Sequence, residues 1–96
     1  MRIAFLLFPN VTQLDLTGPA QVLSRMGEGT QLDLVAATPD PVPTDAGFAI
    51  LPTATFDDVT GADILCVPGG FGTNAAIADD RTMDWVRDVG TRAQWV

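Results

Sequence analysis

Arg2-Ile3-Ala4-Phe5-Leu6-Leu7-Phe8 is apolar from its second residue onward and does not alternate. That pattern predicts a strand buried on both faces of a parallel sheet. Gln31-Leu32-Asp33-Leu34-Val35-Ala36-Ala37 and Asp63-Ile64-Leu65-Cys66-Val67 predict two more strands. Between the first two, Gly18-Pro19 is expected to open a helix, since proline suits the first helical position. Val22, Leu23 and Met26 would mark its buried face, and Gly27 and Gly29 would stop it. Residues 38–47 hold three prolines and read as a loop, followed by a short edge strand at Phe48-Ala49-Ile50-Leu51 limited by Pro52. Thr55-Phe56-Asp57-Asp58 can cap one helical turn. A short helix is predicted over 73–78. A longer one follows over 80–92, with Met83, Val86 and Gly90 on one side and Trp85 and Val89 close by. Ala93-Gln94-Trp95-Val96 reads as the opening of one more buried strand. Strands alternating with helices predict an open α/β sheet in a single domain over residues 1–96, without internal repeats.

Composition narrows the function classes. Five basic against twelve acidic residues give a net charge of −7, which repels phosphate backbones and argues against nucleic-acid binding through this segment. With no histidine and one cysteine, a structural zinc site and an internal disulfide are excluded. No apolar run approaches the length of a membrane span, and the N-terminal run is too short for a signal sequence. A cytoplasmic, soluble protein is expected. The chain is 47% hydrophobic, high for so short a domain, which suggests that it expects further neighbours.

Ligands in open α/β folds bind beyond the carboxyl ends of the strands. Asp15 and Gly69-Gly70 both follow such ends, so their loops can converge although they are far apart in sequence. A carboxyl group at that rim can act as acid or base where its surroundings raise its pKa. Paired glycines let backbone approach a ligand, with N–H groups facing a developing negative charge. The plainer readings also stand: Asp15 can bond amides at its own helix start, and Gly69-Gly70 can be only a tight turn. Residues 68–72 carry no phosphate-binding fingerprint. Cys66, inside an apolar strand, reads as a small core hydrophobe with a raised pKa. Trp85 and Trp95 read most simply as core aromatics, the other reading of Trp95 being packing against whatever follows it.

Three segments together resemble the ThiJ/PfpI superfamily: residues 3–9, Gln13-Leu14-Asp15-Leu16-Thr17-Gly18-Pro19 with Val22-Leu23, and Ile64-Leu65-Cys66-Val67-Pro68-Gly69-Gly70-Phe71-Gly72. The middle segment looks most like the isocyanide (isonitrile) hydratase branch, and the same block opens the sensor domains of certain AraC-type transcription regulators. The resemblance implies a flavodoxin-like three-layer sandwich with a mainly parallel sheet, of which these residues are the N-terminal part. It implies that Asp15 is the acidic residue that partners a reactive cysteine, and that Gly69 and Gly70 supply backbone amides near it. The nucleophilic cysteine of the family follows the strand that residues 93–96 would begin, so it is expected beyond Val96; Cys66 does not match it. The implied reaction converts an isocyanide to an N-substituted formamide through a cysteine thioimidate. It needs a small-molecule substrate and no metal or organic cofactor, and a homodimer is expected. The alternatives are a ligand-sensing domain of a regulator, a redox- or stress-sensing relative, and a complete 96-residue protein without the nucleophile.

Overall fold

The computed structural model describes residues 1–96. Six strands and three helices carry the fold, four of the strands in one sheet and two in a separate ribbon. In chain order they are β1 (Arg2–Leu6), α1 (Gln13–Leu23), β2 (Gln31–Ala36), β3 (Val42–Pro43), β4 (Ala49–Ile50), β5 (Ala54–Thr55), β6 (Ile64–Cys66), α2 (Thr73–Ala78) and α3 (Asp80–Arg92). The main sheet is wholly parallel, in the order β5-β2-β1-β6. Phe5 of β1 stands between Leu34 of β2 and Cys66 of β6. Along β1 and its extension, Ile3, Phe5 and Leu7 point one way and Ala4, Leu6 and Phe8 the other. All six are buried, so the sheet is covered on both faces, as the unbroken apolar run requires.

The sheet continues one step past β6. Trp95 pairs in parallel with Ile64, and its carbonyl accepts the Leu65 N–H at 2.9 Å. Trp95 therefore makes a single bridge beside β6 where the sequence suggested the opening of a buried strand; Gln94, Trp95 and Val96 are exposed. Trp95 itself is exposed, so it is not the core aromatic expected, whereas Trp85 is. Trp85 stacks on Phe56 with centroids 5.1 Å apart, and its indole N–H donates to the Val59 carbonyl at 2.7 Å.

Helices α2 and α3 occupy the predicted residues. Asp79 caps α3 by accepting from the Thr82 N–H at 3.2 Å and from the Thr82 hydroxyl. The buried face of α3 is Thr82, Trp85 and Val89, with Met83, Val86 and Gly90 only half-buried. Asp58 accepts from the Thr55 N–H and hydroxyl at 2.9 and 3.0 Å, closing the single turn expected there.

The first helix differs from expectation. It begins at Gln13, six residues before Pro19, which lies inside it. Val22 and Met26 are exposed, and the buried residue is Leu16. Inside a helix Pro19 offers no N–H to the Asp15 carbonyl, a defect worth about 3 kcal/mol, and Gly18 adds about 1 kcal/mol. Burial of Leu16 and contacts from outside the helix outweigh those local signals. The proline-rich stretch after β2 is also more ordered than a plain loop: β3 pairs antiparallel with β4 in a small ribbon.

The chain leaves β1 for β2 on one side and later returns to β6 on the other. The strand order thus reverses at β1, and the carboxyl ends of β1 and β6 border a crevice of the kind where open α/β folds bind ligands.

Candidate active site

Two loops close on each other at that crevice. The loop after β1 offers the Thr12 N–H to the Gly69 carbonyl at 3.0 Å and the Asn10 carbonyl to the Gly72 N–H at 3.4 Å. The second loop can come this near because it lacks side chains where the two meet. Gly70 has φ +134°, and a Cβ there would lie 2.6 Å from the Thr12 nitrogen and 2.8 Å from the Asn10 oxygen. At Gly72 a Cβ would fall 1.9 Å from the Pro9 oxygen. Gly72 is thus part of the close approach together with the two adjacent glycines.

Asp15 lies in the first turn of α1, where a carboxylate is favoured by the helix dipole. It does not cap its own helix. Its Oδ2 accepts the Gly69 N–H at 3.3 Å, across 54 residues of sequence, and its Oδ1 has no hydrogen-bond partner in the chain. The side chain is exposed. A Cβ at position 69 would stand 3.2 Å from Oδ2, so glycine there also lets the carboxylate sit close to the backbone. The two glycines thus divide their work. The Gly69 amide is engaged by Asp15, while the Gly70 N–H donates to no group of the chain.

Cys66 ends β6 just before this loop. It is half-buried, burial pushes its thiol above the ordinary value of 9.0, and no cation or hydrogen bond offsets that. It has the features of a core residue and not of an activated nucleophile. No three His, Cys, Asp or Glu side chains are grouped closely enough to hold a metal ion.

Beside the crevice, a cleft of about 380 Å³ opens over the ends of β1 and β2, with Phe8, Ala36, Val42 and Phe56 in its wall. It shares Pro9, Asn10 and Gly72 with the convergent loops, but Asp15, Gly69 and Gly70 do not line it. Two further residues reach the Asp15 turn and carried no signal in the sequence. Thr12 donates its hydroxyl to Asp45 at 2.9 Å, and Asp45 comes from the ribbon turn between β3 and β4.

The DJ-1/PfpI family profile matches residues 1–96. Over those 96 residues the chain is 42% identical to the isonitrile hydratase of Pseudomonas putida, covering all of this chain and 42% of that protein. Its backbone superimposes on a ThiJ/PfpI family protein from Pseudomonas syringae with a TM-score of 0.90 and 41% identity, over 96% of this chain and 38% of that one. A putative transcriptional regulator from Vibrio parahaemolyticus gives a TM-score of 0.77 at 18% identity, over 97% of this chain and 52% of that one; at such identity the likeness is one of fold alone. The chain spans less than half the length of the first two relatives.

Proposed function

Because the chain belongs to the DJ-1/PfpI family, we propose that it forms the acid-bearing half of an isocyanide hydratase site, with a cysteine thiolate supplied from outside residues 1–96. The observation that carries this reading is the Asp15 carboxyl held by the Gly69 N–H at the crevice, in a chain 42% identical to an isonitrile hydratase. The thiolate attacks the terminal carbon of the isocyanide, and Asp15, carrying the proton it has taken from the thiol, gives it to that carbon, leaving a neutral thioimidate and a carboxylate. Asp15 then takes a proton from water as the hydroxide adds to the thioimidate carbon, and returns that proton to nitrogen. Collapse of the tetrahedral adduct breaks the C–S bond, releases the thiolate and passes the hydroxyl proton to Asp15. The sum is isocyanide plus water giving an N-substituted formamide, with both catalytic groups restored.

Asp15 Oδ1, free of partners in the chain, suits the proton transfers, and the unengaged Gly70 N–H suits the charge that develops in the adduct. The substrate is a small molecule, the steps use no metal or organic cofactor, and a second copy of the chain is the proposed partner. Light scattering of the full-length protein checks that last point.

The test is hydration of an alkyl isocyanide by the full-length protein, followed by the formyl proton signal of the product. Asp15→Ala should lower kcat by about 10²–10⁴-fold while leaving circular dichroism and melting unchanged. Retained hydration by that variant sinks the assignment. Binding of the isocyanide without turnover by the native protein would instead favour a sensing role.

A further inference from the structure

The first turn of α1 must hold Asp15 still, yet it is poorly supported from within. Pro19 cannot donate to the Asp15 carbonyl, and the N-cap residue Thr12 makes no side-chain bond to the helix. Support comes from another part of the chain. Asp45 Oδ1 accepts the Gln13 N–H at 3.4 Å, and Asp45 Oδ2 accepts the Thr12 hydroxyl at 2.9 Å. This carboxylate thus satisfies an otherwise orphaned amide and adds negative charge at the positive end of the helix.

Asp45 is itself held firmly in place. Its own N–H donates to the Val11 carbonyl at 3.0 Å, Val11 pairs in parallel with Thr44, and the Asn10 N–H donates to the Pro43 carbonyl at 2.8 Å. The turn that presents it is closed by Thr44, whose N–H and hydroxyl both reach the Phe48 carbonyl at 2.9 and 2.7 Å. The ribbon is thereby zipped along the β1–α1 loop and places its carboxylate where the helix begins.

We propose that Asp45 is a positioning residue for Asp15: it caps α1 from the β3–β4 ribbon and so fixes the carboxyl against the Gly69 N–H. This rests on the hydratase reading for its consequence in turnover, but not for its structural content. Losing the cap frees the first turn to fray, and Asp15 then samples geometries in which it cannot deliver its proton.

The experiment compares Asp45→Ala, Asp45→Asn and the unaltered full-length protein. Asparagine keeps an oxygen for the Gln13 N–H, so it should retain the cap. The structural readout is the Gly69 amide resonance in an ¹⁵N-¹H correlation spectrum, referenced to its position in Asp15→Ala, where the carboxyl partner is gone. In Asp45→Ala that resonance should move toward the Asp15→Ala position, and in Asp45→Asn it should stay near the native one. In isocyanide hydration kcat should fall roughly tenfold in Asp45→Ala with KM little changed, and return to within about threefold of native in Asp45→Asn. A Gly69 resonance unmoved in Asp45→Ala overturns the proposal, even where that variant melts earlier. So does a loss in Asp45→Ala confined to KM. If the native protein hydrates no isocyanide, the hydratase reading fails alone, and the Gly69 resonance still decides the role of Asp45.

Discussion

Gly47, Gly70 and Gly72 separate two costs that a new methyl group can impose at a glycine. Gly47 has φ +84° and open space around it, so Gly47→Ala costs only the left-handed backbone, about 1 kcal/mol. Gly72 has an ordinary φ of −79°, so there the cost is contact alone, with a Cβ 1.9 Å from the Pro9 carbonyl oxygen. Backbone must shift to admit it, at about 3 kcal/mol, offset by about 0.5 kcal/mol from a stiffer unfolded chain. Gly70 combines both, with φ +134° and backbone atoms of Thr12 and Asn10 within 3 Å of the new Cβ. Gly70→Ala should therefore cost about 3–5 kcal/mol, a large share of the 5–15 kcal/mol that a domain typically has. Urea unfolding of the three variants, with slopes held in common, gives the differences directly. The expected order of destabilisation is Gly47 least, Gly72 next and Gly70 most. Gly70→Ala matching Gly47→Ala within about 0.5 kcal/mol would refute the claim that the two loops meet on rigid backbone.

Three other outcomes are expected. Trp85→Phe removes the indole donor from the buried Val59 carbonyl and shrinks the ring that stacks on Phe56, so it should cost about 2 kcal/mol in urea; a loss under about 0.5 kcal/mol would discount that hydrogen bond. Asp79→Ala deletes the α3 cap and should cost about 1 kcal/mol by thermal melting, with Asp79→Asn close to native. Burial raises the Cys66 pKa in the folded state, so its stabilising contribution is fully present below the ordinary value of 9.0 and is lost as pH rises through the folded value. Unfolding curves should show that alkaline loss in the native chain and less of it in Cys66→Ala, and iodoacetamide should alkylate native Cys66 more slowly than the unfolded chain.

Elements with a strong local pattern were legible before the structure. The unbroken apolar runs of β1, β2 and β6 need cover on both faces, and the two later helices carry their stop and start signals within a few residues. The start of α1 was not legible. Gly18-Pro19 is a strong local signal for a helix opening, but burial of Leu16 and the distant Asp45 cap extend the helix upstream of it. The strands β3 and β5 were missed because two residues carry no periodicity.

The candidate site divides in the same way. That Asp15 and Gly69-Gly70 follow strand ends is a property of the chain order, and it brought both loops to one rim. The sequence by itself determined the α/β class, the central strand and the residue types available at that rim, because these depend on local hydrophobic period and on glycine. Only the tertiary structure decided that Asp15 bonds Gly69 and not the amides of its own helix start, that Gly72 must lack a side chain, and that Asp45 supports the turn. Those facts depend on hydrogen bonds and contacts between segments tens of residues apart, which no local pattern encodes.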